Sequence, residues 1–209
     1  MYSKPVFAPT GDAEVHDFLE RTIFGTLITR SPDSFLISHL IFMLDRERGT
    51  HGTLVSHLSR ANEHCALLEQ GADSAVVFVG EQGYISPSWY PGYPMRDSAP
   101  TWNFSVVHCH GRPRPLDSHG ALAHLRDAVD RLEYGRDLQW ELKELGDAGI
   151  ARRLGHILAF ELPIERMEAK FKMGQDERLP DTRAAIEHLG RAGVCPLAGE
   201  MAQRNKTRT

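Results

Sequence analysis

The sequence predicts a mainly β protein with flanking helices, arranged as a closed or nearly closed antiparallel barrel with helical decoration. Two observations favour this class. Short runs rich in apolar and β-branched residues, separated by Pro, Gly, Asp and Ser turn signals, fill the first half of the 209-residue chain. Apolar residues at helical spacing come mostly in the second half. The length suits one domain, and no internal repeat or low-complexity linker divides it.

Seven strands are expected, each from an apolar run bounded by turn signals. In chain order they cover residues 23–30, 35–44, 50–58, 74–79, 84–90, 100–110 and 157–172. The Ser-Pro-Asp-Ser turn at 31–34 and the polar segment 45–49 join the first three as hairpins. Gly80 is expected to end the fourth strand, and Pro163 to interrupt and bend the last one.

Five helices are expected from apolar residues at helical spacing. The first begins near Asp12, a good N-cap residue, and the others cover residues 59–70, 118–132, 137–153 and 182–192. Gly71 and Gly193 stand where helix-ending glycines usually do. One domain is therefore expected over 1–195, followed by a flexible basic tail over 196–209.

Composition excludes several classes of protein. Hydrophobic residues make up 41% and charged residues 25% of the chain, as in ordinary globular proteins. No apolar run is long enough to cross a membrane and no secretion signal is recognisable, so we expect a cytoplasmic protein without a membrane partner. The three scattered cysteines are expected to be free thiols. The net charge of −4 argues against general nucleic-acid binding.

A first candidate site lies at the expected strand-to-helix junction of residues 56–62, Ser-His-Leu-Ser-Arg-Ala-Asn. Ser59 is a good N-cap residue, and free N–H groups at a helix N-terminus attract anions. Arg60 could hold a phosphate through paired hydrogen bonds. This pattern predicts a phosphate seat, and the alternative is an ordinary cap beside a solvated arginine.

Three other groups of residues could carry chemistry. Ser38-His39-Leu40 repeats the pattern of Ser56-His57-Leu58, so both histidines could line one groove, or each could be satisfied locally. Lys170 and Lys172 share one strand face and could stabilise negative charge on a cofactor ring, or could be solvated. His108 and His110 also share a face, but two ligands do not make a zinc site, so no metal is expected.

Two tryptophans lie in unusual surroundings for core residues. Trp89 follows Ser86-Pro87-Ser88, and Trp102 follows Pro100-Thr101. Proline favours edges and loops, where an aromatic ring can present its face to a flat ligand. The two rings therefore either wall a binding groove or pack beneath a long loop.

Taken together and in order, several segments resemble the PaiB-like FMN-binding negative transcriptional regulator family. They are Met1-Tyr2 with Pro5 and Phe7, then 24–29, 38–40, 52–54, 56–62, 84–90 and 100–104. The resemblance extends from the first residue to about Asp181. It implies a six-stranded antiparallel split β-barrel that forms a homodimer and holds FMN in a groove at the subunit interface.

The resemblance also implies roles for particular residues. Near the phosphate of FMN the resemblance implies Ser59, Arg60 and Asn62, and along the groove it implies Ser38, His39, Leu40 and His57. Beside the groove it implies Trp89, Trp102 and Asn103. From the late strand it implies Lys172 and Gln175, together with Lys170. The chain departs from the family pattern at Ile41, at residues 63–65 and at residues 173–176. The late-strand contacts are the ones that these departures affect most.

Two functions follow from the resemblance, a transcriptional regulator and a flavin-dependent oxidoreductase. The family name links it to transcription, but the acidic charge and the lack of a recognisable helix-turn-helix predict no sequence-specific DNA binding by this chain alone. A haem-binding or haem-degrading protein is the first alternative, with His39, His57, His108 and His110 as candidates. The second is a non-catalytic dimeric module whose cofactor site has decayed.

Overall fold

A computed structural model describes residues 1–92 and 97–208, and within them the chain forms nine strands and six α-helices. The strands are β1 (Phe24–Arg30), β2 (Phe35–Ile41), β3 (Met43–Asp45), β4 (Thr53–Ser59), β5 (Ser74–Ile85), β6 (Thr101–Gly111), β7 (Arg114–Pro115), β8 (Ile157–Pro163) and β9 (Arg166–Lys172). The helices are α1 (Asp12–Arg21), α2 (His64–Glu69), α3 (Ser118–Glu133), α4 (Gly146–Leu154), α5 (Leu179–Arg191) and α6 (Cys195–Arg204). Single 3-10 turns occupy Pro5–Phe7, Pro87–Trp89 and Leu142–Leu145.

The strands form two open antiparallel sheets, one with the order β2-β1-β5-β6-β9 and one with the order β3-β4-β8-β7. The prediction of a mainly β fold with helices is confirmed, but the strands form two open sheets of five and four strands where a six-stranded split β-barrel, closed or nearly closed, was predicted. The reason is that two of the predicted strands are interrupted. Phe42, whose amide bonds the Ile23 carbonyl at 2.8 Å, separates β2 from β3. Pro163 ends β8, and β9 then joins the other sheet.

The prediction that Gly80 ends a strand is wrong, because β5 runs through it to Ile85. A Cβ atom at Gly80 would lie 2.6 Å from Cε2 of Phe18, so glycine here allows the phenyl ring of α1 to approach the strand. The strand expected at 84–90 is instead the end of β5 and the turn Pro87–Trp89.

The chain divides into two compact units. The terminal unit comprises Met1–Phe18, Val79–Val107 and Glu168–Thr209, and the central unit comprises Leu19–Phe78 and His108–Met167. In the central unit, the buried Phe42 ring meets Phe78 and Phe160 edge-on, with centroids 5.7 and 6.2 Å apart. Such pairs add directional attraction to the burial of apolar area.

The terminal unit has its own core, to which the last two helices contribute. Its cluster of buried side chains contains Ile85, Tyr90, Met173, Ala185, Leu189, Leu197, Ala198 and Met201. Residues 196–204, expected to be flexible, belong to α6, whose Arg204 guanidinium lies 4.2 Å from the Phe171 ring centroid and pairs with Glu14. The segment is ordered because Leu197 and Met201 are spaced one helical turn apart and are buried.

The outer face of β1 and β2 is apolar and exposed. Phe24, Phe35 and Ile37 are each about 60% exposed, at 63%, 62% and 60%. In the antiparallel register Phe24 faces Ile41, and Ile28 faces Ile37, so these side chains lie on one continuous surface. We call this surface the β1–β2 face.

No helix in the part of the chain that the structure describes is long and apolar enough to span a membrane.

Candidate functional site

Three polar side chains of the central unit meet beside the start of α2. Ser38 Oγ on β2 lies 2.9 Å from His64 Nδ1, and Asn62 Nδ2 donates to the same Ser38 Oγ at 3.2 Å. Ser38 and His64 are almost fully buried. The predicted residues Ser38 and Asn62 are thus brought together, although they are 24 positions apart in the sequence. We call Ser38, Asn62 and His64 the Ser–Asn–His cluster.

Only one of the two ring nitrogens of His64 takes part in the Ser–Asn–His cluster. Its Nε2 atom is buried and has no hydrogen-bond partner among the described residues. Burial lowers the pKa of His64 below its ordinary value, so the ring is neutral near pH 7. A buried polar atom without a partner is costly, and a ligand that supplied one would be stabilised there. Sequence reasoning missed His64 because it stands where the family pattern has other residues.

The phosphate seat expected around Ser59 has a different local structure. Ser59 is the last residue of β4, and its Oγ accepts from Ala61 N at 3.2 Å. The helix begins five residues later, at His64, and Asn62 Oδ1 accepts the His64 N–H at 2.9 Å. The prediction that Ser59 caps a helix is therefore wrong, because residues 60–63 form a turn between β4 and the helix.

Arg60 projects from this turn with about half of its side chain exposed. Its guanidinium lies 3.8 Å from Glu69, and both side chains are 53% exposed, so solvent weakens the pair. Arg60 also borders an open cavity of about 590 Å³, lined by Leu116, Asp117, Ser118, Ala121, Ala151, Leu154, Gly155, Ile157 and Ala159. The guanidinium is therefore accessible to an anion.

His39 and Leu40 are neighbours on β2 but point to opposite faces. His39 Nδ1 lies 3.0 Å from Thr26 Oγ1 across the strand pair, and its ring stacks on Phe24 with centroids 6.1 Å apart. Its side chain is on the exposed β1–β2 face, whereas Leu40 is half-buried on the other side.

His57 is engaged with a histidine that the sequence reasoning did not single out. His57 Nδ1 lies 2.9 Å from His124 Nε2 of α3, and His124 Nδ1 is buried without a partner among the described residues. Burial and the neighbouring His57 lower the pKa of His124 to about 4, and burial lowers that of His57. The pair is thus neutral near pH 7. The sequence could have indicated His124, because its helical spacing with Ala121 and Ala128 puts it on the buried side of α3.

The other predicted site residues belong to the terminal unit. Trp89 stacks on His188 of α5, with ring centroids 4.1 Å apart and planes 12° apart. Trp102 is half exposed, and its Nε1 donates to Gln82 Oε1 at 3.1 Å. Asn103 is buried, and its Oδ1 has no partner among the described residues.

The late-strand residues make mostly internal contacts. Lys172 Nζ donates to Thr101 Oγ1 and, at 3.1 Å, to the Trp102 carbonyl, and burial lowers its pKa. Gln175 closes its own turn, accepting from Met173 N and donating to Phe171 O, both at 2.6 Å. Lys170 Nζ lies above the rings of Tyr2, Phe7 and Phe104, 5.2–5.7 Å from their centroids. These lysines therefore stabilise the terminal unit.

A family described as "Putative FMN-binding domain" matches residues 1–166, about four-fifths of the chain and all the strands of the central unit. The chain belongs to this PaiB-like family of FMN-binding proteins. The predicted family is thereby confirmed. The matched range contains the Ser–Asn–His cluster and Arg60, and it ends before α5 and α6.

Individual relatives agree with this assignment. The chain is 27% identical over 189 residues to the protease synthase and sporulation protein PAI 2 of Bacillus subtilis, covering 90% of this chain and 89% of that protein. Among solved structures, it is similar to a flavocytochrome, Anf3, from Azotobacter vinelandii (TM-score 0.61, 19% identity, covering 88% of this chain and 78% of that one). It is also similar to a FAD- and haem-binding protein from Mycobacterium smegmatis (TM-score 0.59, 19% identity, 85% and 78% covered). The structural likenesses show the fold.

Proposed function

We propose that this protein binds FMN through the central unit, with the Ser–Asn–His cluster and Arg60 among its contacts. The observation that carries the proposal is the unpartnered, buried Nε2 of His64, held by Ser38 inside the family-matched range. A ligand with polar ring atoms would supply the missing partner. Asn62 adds an amide that can both donate and accept.

Arg60 fits the phosphate end of FMN. Its guanidinium is exposed, pairs only weakly with Glu69, and presents donors suited to phosphate oxygens. FMN, when bound, supplies the redox chemistry of its isoalloxazine ring. The protein's part is to orient the ring and to hold the phosphate.

We also propose that two copies of the chain associate through the β1–β2 face. Contiguous exposed apolar surface of this kind marks an interaction site, and a second copy presents the same apolar surface in return. Phe24, Phe35, Ile37 and Ile41 supply this area, with His39 and Thr26 as a polar pair within it. This arrangement is consistent with the homodimer that the family resemblance implies.

The biochemical role that we propose is flavin-dependent redox chemistry rather than direct DNA recognition. The net charge of −4 opposes phosphate-backbone binding, which depends on clustered cations. Purified protein should give no salt-sensitive, sequence-selective gel shift. Such a shift would support the regulator instead, and haem uptake with a Soret band but no flavin uptake would support the haem alternative.

Titration with two flavins tests the cofactor proposal. Purified protein should bind FMN, with a perturbed flavin absorbance spectrum, and should bind riboflavin more weakly because riboflavin lacks the phosphate. Arg60→Ala should lower FMN affinity about tenfold, the value of a charged hydrogen bond, and leave riboflavin affinity unchanged. Ser38→Ala should weaken both ligands alike.

Arg112→Ala is the matched control, since Arg112 is a similarly exposed arginine of the same unit whose partner is the exposed Asp73. It should bind both flavins as the unmodified protein does. Absence of flavin uptake would refute the proposal, and an equal effect of Arg60→Ala on both flavins would refute the phosphate role.

A further inference from the structure

One face of α5 forms an open groove with Trp89, Tyr90 and Pro91. Pro180, Arg183, Ala184, Glu187, His188 and Arg191 recur three or four positions apart, so they share one side of the helix. With Trp89, Tyr90 and Pro91 they border a cavity of about 490 Å³. All of these residues belong to the terminal unit, and α5 lies beyond the family-matched range. We call this feature the α5 groove.

The α5 groove contains a preformed aromatic platform. The imidazole of His188 lies parallel to the Trp89 indole at 4.1 Å, and His188 is exposed while Trp89 is half-buried. Tyr84 meets Trp89 edge-on, with centroids 6.4 Å apart, and so limits the movement of the indole. A flat ring can extend this stack at little entropic cost, because the platform rings are already fixed.

Cationic groups border the platform. Arg183 is exposed and makes no ion pair or hydrogen bond within the described part of the chain. Arg191 pairs with Glu187 at 3.0 Å, but the two side chains are 77% and 67% exposed, so the pair is weak. Two guanidiniums against one carboxylate leave the groove with excess positive charge.

Tyr90 joins the border of the α5 groove to the core of the terminal unit. Tyr90 is only 3% exposed, and its hydroxyl has no hydrogen-bond partner among residues 1–92 and 97–208. Burial, with nearby carboxylates including Glu177 and Asp181, raises the pKa of Tyr90 to about 12, so the hydroxyl stays protonated and can donate.

We propose that the α5 groove binds a small planar aromatic ligand that carries an anionic group. The ring extends the Trp89–His188 stack, and the anion contacts Arg183 and Arg191. The family resemblance implied that Trp89 lies beside FMN, but Trp89 belongs to the terminal unit and not to the Ser–Asn–His cluster. The proposal therefore does not depend on the flavin site proposed above.

Calorimetric titration of the full chain tests the ligand class with four probes. Indole-3-acetate supplies a ring and a carboxylate, indole-3-acetamide the same ring without charge, acetate the carboxylate alone, and AMP a ring with a phosphate. Indole-3-acetate or AMP should bind at least tenfold more tightly than the amide, and acetate should not bind measurably. Equal affinity for indole-3-acetate and indole-3-acetamide would overturn the proposal.

Variants locate the binding. Arg183→Gln should weaken the aromatic anions about tenfold and leave the amide unchanged. Arg136→Gln, an exposed arginine of the central unit, is the matched control and should change nothing. Binding that is insensitive to Arg183→Gln would overturn the proposal.

The same titration is repeated with saturating FMN to separate the two sites. Unchanged affinity for the aromatic anion supports an independent groove, whereas competitive displacement by FMN would overturn it. Failure of FMN to bind at all would refute the flavin proposal and leave the α5 groove measurable.

Discussion

At the scale of single residues, two glycines show how the space around a residue decides whether a substitution raises or lowers the free energy of unfolding. A Cβ at Gly111 would lie 2.2 Å from the backbone carbonyl oxygen of Pro163, which cannot move without displacing β8. A Cβ at Gly199, inside α6, would meet nothing within 4 Å. Gly111→Ala should therefore lower the free energy of unfolding by about 2–3 kcal/mol, because overpacking forces the backbone apart.

The matched substitution Gly199→Ala should raise the free energy of unfolding by about 0.5–1 kcal/mol, since alanine loses less backbone entropy in a helix. Urea denaturation of the two variants checks both signs. A neutral Gly111→Ala would mean that β6 and β8 tolerate separation at this point.

The His57–His124 pair gives the protein a predictable response to acid. The pKa of His124 is about 4 in the folded chain against an ordinary value of 6.5, so between these limits the unfolded chain binds more protons. Stability should thus fall as the pH drops from 6.5 towards 4, and the loss from His124 alone should be about 2 kcal/mol between pH 7 and pH 5. His57, whose pKa burial also lowers, acts in the same direction.

Chemical denaturation at pH 7 and pH 5 measures this loss. His124→Leu should reduce the difference between the two pH values, whatever it does to stability at pH 7. His119→Leu, on the exposed side of the same helix, is the control and should leave the difference intact. An unchanged pH difference in His124→Leu would contradict the role of the pair.

At the scale of elements, α3 depends on its first residues. The Asp117 carboxylate accepts from Gly120 N at 2.7 Å and so caps the helix that carries His124. Asp117→Ala should lower the free energy of unfolding by about 1 kcal/mol. Asp117→Asn keeps the cap and removes the charge, so it should lose less, and thermal unfolding of the two variants separates capping from charge.

Local patterns were sufficient for some elements and misleading for others. The alternation in β1 and the helical spacing in α3 predicted both nearly to their ends. Gly80 signalled a strand end, although its role is to admit the Phe18 ring, a contact between residues 62 positions apart in the sequence. The basic residues near the C-terminus concealed Leu197 and Met201, whose spacing predicts a helix once their burial is known.

The candidate site shows the same limit. The resemblance placed Ser38 along the FMN groove and Asn62 at its phosphate end, and in the structure the two side chains are hydrogen-bonded. It did not indicate His64, whose importance comes from its burial and from a ring nitrogen without a hydrogen-bond partner among the described residues. His124 could have been found from its helical spacing with Ala121 and Ala128. The burial of His64 depends on how β2 and α2 pack together, which no local sequence pattern records.

At the scale of the whole molecule, the exposed β1–β2 face determines the expected state of assembly. Ile37→Lys places a charge in the middle of this face and should convert a dimer to a monomer, because a buried unpaired ammonium opposes association. The fold should survive, since Ile37 is already 60% exposed. Leu138→Lys, at a residue 90% exposed outside the face, is the control. Light scattering after size exclusion that shows the same mass for all three proteins would contradict the proposed interface.

Cofactor binding should also register in the stability of the molecule as a whole. A ligand that binds only the folded chain stabilises it by about 2.7 kcal/mol at a concentration one hundred times its Kd. For a chain of this length that corresponds to a rise in Tm of roughly 5–10 °C. Ser38→Ala should show a smaller rise at the same FMN concentration, because the cluster that holds His64 is broken, whereas Ser34→Ala, in the turn before β2, should show the full rise. Differential scanning calorimetry with and without FMN distinguishes these outcomes, and an equal rise in both variants would place the flavin away from the Ser–Asn–His cluster.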